Sequence, residues 1–315
     1  MRNLASSRLQ SRSSVTIIGK PPATRPAPTH RLICQSLSAF GTGTHLIFSR
    51  VFLNGKAHVE YRRMLNVLFT RKALAIYLEM QDRIARQHFA EWLADAAKDP
   101  QPKTIMHTVR HMNMHSSLRV FCGKHIPREA IFKISDEYWK ITKALELVNF
   151  PLAVPGTKVW GAIQSRKAAM RFLEDACGKS KEYIAAGGEV HCMIDAWVKD
   201  VLDAKEKAAV EGGKDPREFS NREMALVVLS FLFASQDAMS SGVIYMFQHL
   251  ADHPEILIKV REEQVRVRAG NYQSPVSLEM IDNMPYLRAV IKESLRLKPP
   301  VTMVDSCSVC KKSPG

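Results

Sequence analysis

The stretch from Ser220 to Asp252 constrains the fold of this 315-residue chain more than any other. Ser220 and Glu223 have the S-x-x-E spacing in which each side chain satisfies an amide at a helix start. The run MALVVLSFLFASQDAMSSGVIYMFQHL follows, and Asp252 and Pro254 mark its end. This predicts one helix of roughly 30 residues, about 45 Å long, enough to cross an entire domain. Its first half is apolar all round, so it is expected to be buried. The apolar run from Met224 to Ala234 is soon interrupted by Gln236 and Asp237, which predicts that no membrane span is encoded.

Around that helix the chain reads as mainly α. From Ala57 onward, apolar residues recur at three and four positions, with few alternating β-branched runs. In FPLAVPG (150–156), two prolines lacking an amide donor and one glycine separate two long helical stretches. EGGKDP (211–216) makes a second break. Pro254 fits the first turn of the following helix, and Pro285 opens another that Pro299 and Pro300 terminate. Residues 1–50 are rich in Ser, Arg and Pro and contain no Asp or Glu, the composition of a disordered tail. A mitochondrial presequence shares that composition, but the cluster Pro21, Pro22, Pro26 and Pro28 would break its helix.

Composition removes some function classes. The formal charge of +14 is spread along the chain with no block of five Lys/Arg, which argues for a general basic surface and against nucleic-acid binding. The six cysteines are scattered and suggest a reducing compartment. Cys307 and Cys310 form a lone C-x-x-C without the second pair a structural zinc site requires.

Three side-chain patterns carry possible chemistry. Asp237 lies in an apolar helix, where an unpaired carboxylate costs several kcal/mol, so it either faces water, is neutralised or borders a polar groove. Glu293 and Arg296 form an E-x-x-R pair on one helical face. Glu263 and Arg266 repeat the spacing in a heavily charged helix, where a solvated pair is expected. His58 and Arg62, at i, i+4, read by themselves as an ordinary basic helix start.

In order along the chain, these patterns resemble the cytochrome P450 family, specifically the fungal sterol C-22 desaturases. YLRAVIKESLRLKPPV resembles the K helix, FLFASQDAMSS the I helix that crosses over the haem, and KAHVEYRRMLNVLFT the C helix. NFPLAVPGTKVWGAIQSRKAAM resembles the connection between the F and G helices. The resemblance spans about Val51 to Val304. It implies a P450 fold with the C to K helix region present and the N-terminal strands and C-terminal haem-ligand loop missing. Residues 305–315 are then an aberrant tail.

The resemblance also implies roles. Asp237 takes the acid position of the oxygen-activation groove. Ala238 stands where most members have threonine and Ser235 where glycine is common, a departure shared with sterol C-22 desaturases. Ser240, Ser241 or ordered water would then replace the missing hydroxyl. His58 and Arg62 would pair with the haem propionates by charge-assisted bonds, and Glu293 and Arg296 would be structural. Phe150, Leu152 and Val154 would be apolar contacts at a membrane-facing substrate entrance. The implied reaction is desaturation of a sterol side chain in ergosterol biosynthesis, at the endoplasmic reticulum membrane. Haem is the cofactor, and NADPH supplies electrons through NADPH-cytochrome P450 reductase. A haem-thiolate enzyme needs an axial cysteine, and none here has the family's flanking pattern. Cys192 has Gly188 at one matching offset, but Ala185 and Ile194 fail the others and the site precedes the I helix. The chain as written is therefore expected to be inactive, the alternative being a catalytically silent helical protein that binds sterol or a partner.

Overall fold

The computed structural model describes residues 66–99, 101–146, 154–213 and 216–300. His58, Arg62, Phe150, Leu152 and both expected tails lie outside the described residues. Among the described residues there are nine α-helices, two short 3-10 turns and no strand. The helices are α1 Arg71–Lys98, α2 Met106–Cys122, α3 Arg128–Glu146, α4 Lys158–Ala185, α5 Met193–Glu211, α6 Asn221–Asp252, α7 Pro254–Arg268, α8 Leu278–Asp282 and α9 Pro285–Leu297.

Local chemistry accounts for most of the boundaries. The Thr70 and Thr157 hydroxyls accept from the amides of Ala73 and Trp160 and start α1 and α4. At α6 the capping box is complete: Ser220 Oγ accepts from Glu223 N at 3.2 Å, and Glu223 Oε2 accepts from Ser220 N at 3.0 Å. Pro254 and Pro285 open α7 and α9 at positions where the missing amide costs nothing. Gly212 ends α5 with φ 69°, a left-handed conformation that glycine adopts without strain.

The 32-residue α6 is the axis of the molecule, packed against α2, α4, α7 and α9. Ala225, Val228, Leu229 and Leu232 of α6 are buried with Met114 and Leu118 of α2, Leu173 and Cys177 of α4 and Trp197 of α5 in one core. Each large apolar side chain there contributes roughly 1.5–3 kcal/mol. α3 lies along α4, and α1 along α2.

Two expectations are corrected. By length and mean hydropathy, α6 does qualify as a helix able to cross a membrane, because Gln236 and Asp237 are too few to lower the average over an 18-residue window. Here it is the central core helix. Glu263 is not a solvated partner of Arg266. It is 3% exposed, and its two oxygens accept the backbone N–H groups of Tyr286 and Leu287 at 2.9 and 2.8 Å, whereas Arg266 is 3.6 Å away and exposed. A buried carboxylate thus caps the free amides and positive dipole end of α9.

Candidate functional site

The middle of α6 has two faces of different chemistry. Leu229, Leu232, Gln236 and Ser240 form its buried stripe, while Ala234 is exposed and Ala238 and Ser241 are half-buried. At 100° per residue Ala234, Ala238 and Ser241 share the opposite face. Between Phe231 and Tyr245, which stand on the same side of the helix, that face carries only small side chains.

The buried stripe is tied to α2 by hydrogen bonds. Asn113 Nδ2 donates to the backbone oxygen of Gln236 at 3.1 Å, to its Oε1 at 3.3 Å and to Ser240 Oγ at 3.2 Å. Gln236 Nε2 donates to the Arg110 backbone oxygen at 2.8 Å. Ser240 Oγ donates to the Gln236 carbonyl at 2.6 Å. Each buried polar group in this cluster therefore has a partner, as burial requires. Ser240 is committed to this cluster, so of the two serines only Ser241 stands on the side of Ala238.

Asp237 ion-pairs with Arg110. Its side chain is 51% exposed, so the carboxylate is both water-facing and neutralised, which removes the desolvation problem posed by the apolar helix. It stands about 100° around the helix from Ala238. Glu293 and Arg296 form a bidentate pair at 2.8 and 2.6 Å on the outer face of α9. Its hydrogen bonds to Arg296 hold the Glu293 carboxyl below the usual range, and the guanidinium is raised in return. Leu295 of the same helix lies 3.7 Å from where a Cβ on Gly242 would stand, so α9 meets α6 one turn beyond Ala238. Val154 is half-exposed just before α4.

Two buried polar clusters had no signal in the sequence because their members are far apart in the chain. Asp195 Oδ1 accepts from Ser180 Oγ at 2.5 Å and lies 2.8 Å from His125 Nε2, and its Oδ2 accepts from His191 N at 3.2 Å. His88 Nε2 and His115 Nδ1 are 3.1 Å apart between α1 and α2. Burial pushes the His115 imidazole down to about 4, with its histidine neighbour and nearby arginines adding to the effect.

The described cysteines do not fit an axial haem role. Cys122, Cys177 and Cys192 are fully buried, and burial raises their thiols, Cys177 to about 12 and the other two well above the ordinary value. The small-residue face of α6 does fit the far side of a haem.

The sequence profile of the cytochrome P450 family matches residues 35–307, reaching into the stretch read as an N-terminal tail. The chain is 42% identical over 255 residues to the C-22 sterol desaturase ERG5 of Saccharomyces cerevisiae, covering 81% of this chain and 47% of that protein. It is 43% identical over 266 residues to the C-22 sterol desaturase erg5 of Aspergillus fumigatus, covering 81% and 51%. The chain thus spans about half the length of the curated relatives it matches. Among solved structures, the retinoic-acid-bound cyanobacterial CYP120A1 superposes with a TM-score of 0.61 at 20% identity, over 85% of this chain and 54% of that one. The order of the helices, the cap that fixes the E-x-x-R helix, the open face of α6 and these matches agree, and the chain belongs to the cytochrome P450 family.

Proposed function

We propose that the protein is a sterol C-22 desaturase and that the described helices form the half of its site above the haem. The observation carrying this reading is the face of α6, where Ala234 and Ala238 leave space and Ala238 replaces the customary threonine in a chain over 40% identical to two C-22 sterol desaturases. In balance, the side chain loses two hydrogens, and these, with O2, the hydride of NADPH (one proton and two electrons) and a further proton, leave as two waters. Haem, when bound, supplies the oxygen chemistry.

The chain's own residues orient and hold charge. Asn113 and Gln236 fix the register of α6 against α2, so Ala234 and Ala238 keep a constant position. Arg110 ion-pairs with Asp237 at the edge of the groove, where the carboxylate can order water. Ser241 is the hydroxyl placed to hold a water beside Ala238, the task threonine performs elsewhere in the family. His58 and Arg62 are assigned to the haem propionates, and Glu293 and Arg296 to a structural tie between α9 and the haem-ligand loop. Phe150, Leu152 and Val154 are assigned to the sterol entrance at the surface of the endoplasmic reticulum membrane. Electrons reach the protein from NADPH through the reductase, which meets a basic face.

The test is a chimera in which residues 71–298 replace the matching stretch of the Saccharomyces relative, expressed in cells lacking C-22 desaturase activity. Gas chromatography of the sterols is expected to show recovery of side-chain-unsaturated product. A chimera that binds haem through thiolate yet forms none would contradict the substrate assignment.

A further inference from the structure

Asp195 is 0% exposed, and its side-chain partners are Ser180, His125, Cys192 and the backbone of His191, with no lysine or arginine among them. A buried carboxylate without a permanent cation is expensive. Beside it stand a soft and an imidazole donor. His125 Nε2, Cys192 Sγ and an Asp195 oxygen all lie within 4.8 Å of one another, with His125 7% and Cys192 0% exposed. We infer that His125, Cys192 and Asp195 form a divalent-metal site of zinc type, holding the junction of α2, α4 and α5.

The donor set selects the metal. One imidazole, one thiolate and one carboxylate is a combination zinc accepts in tetrahedral geometry, whereas magnesium and calcium require oxygen ligands alone. Ser180 Oγ, 2.5 Å from Asp195 Oδ1, is close enough to take the fourth position or to hold a water there. Tetrahedral ligands about 2.0–2.1 Å from zinc stand roughly 3.3 Å apart. His125 and Asp195, now 2.8 Å apart, would separate by about half an ångström on binding, with the metal replacing their hydrogen bond. Coordination also releases the Cys192 thiol proton to solvent, with no change in oxidation state.

The surroundings are built to aim these ligands. His191 N holds the second Asp195 oxygen at 3.2 Å, and the ring of Tyr183 lies 5.5 Å from that of His125. Such outer contacts orient metal ligands. Gly123, at φ 55°, begins the turn carrying His125, and a Cβ there would stand 2.9 Å from Cys192 Cβ, so only glycine lets the two segments meet. The site shares no residue with the α6 cluster and does not depend on the desaturase reading.

Cobalt and zinc titrations of the full chain test this, in a background carrying Cys307→Ser and Cys310→Ser so that the terminal C-x-x-C adds no thiolate band. One equivalent of cobalt is expected to give thiolate-to-metal absorption that zinc abolishes, and zinc is expected to raise Tm. Cys192→Ser should remove the absorption, and His125→Gln, which leaves Asp195 a hydrogen-bond partner, should weaken zinc binding at least about tenfold. Absence of the band and of the Tm rise in the helical chain, or their persistence unchanged in both variants, would overturn the site and leave the cluster as a metal-free hydrogen-bond network.

Discussion

Glu263 and Glu293 each precede an arginine by three residues, and the fold uses them in opposite ways. Glu293 meets its arginine in solvent, and Glu293→Ala is expected to leave the denaturation midpoint of the chain almost unchanged. Glu263 turns inward to accept two amides, and charge-assisted bonds of this kind are worth about 1.5–3 kcal/mol. Glu263→Ala should therefore cost roughly 2 kcal/mol in urea denaturation and loosen α9 first, seen as faster hydrogen exchange at Tyr286 and Leu287. Gly188 offers a second single-residue test. A methyl there would lie 2.5 Å from the ring of Tyr183, whose hydroxyl is 2.9 Å from His191 Nε2. Gly188→Ala is expected to displace that ring and destabilise the chain by about 1–3 kcal/mol, and an unchanged melting curve would show the loop to be loose. Spacing alone cannot separate the two glutamates, because what distinguishes them is a helix end 23 residues further along the chain.

At the scale of elements, α1 and α2 are joined through His88 and His115, two imidazoles that share one hydrogen bond in the core. The unfolded His115 titrates near 6.5 and the folded one near 4, so between those values the unfolded chain binds more protons. Stability is therefore lost as pH falls from about 6.5 to about 4 and levels off below. Urea midpoints measured across this window should show the slope, and His115→Gln should flatten it. The pairing was not legible in the sequence, since the two histidines are 27 residues apart on separate helices. Helix limits were legible wherever a nearby side chain or proline sets them, as at Ser220, Pro254 and Pro285. The depth of α6 was legible from its composition, whereas its anchoring by Asn113 and Arg110 required knowing that α2 lies beneath it.

At the scale of the whole molecule, we propose that Ala234, Ala238 and Ser241 form the working face of α6 and that the Asn113, Gln236 and Ser240 cluster holds it in place. The order of motifs identified the family from sequence, while the side of the helix proposed to face the haem is argued from burial, since Asp237 lies to one side with Arg110 and Ser240 points into the core. The most direct measurement is sterol titration of the haem-bound chimera, read by the sterol-induced shift of its Soret band, with and without Ala238→Phe. The variant is expected to keep the reduced carbon monoxide band of an intact thiolate-bound haem but to bind sterol at least about tenfold more weakly, because the new ring would fill the space between α6 and the haem. Unchanged sterol affinity in the variant would place the substrate elsewhere and contradict the assignment of this face.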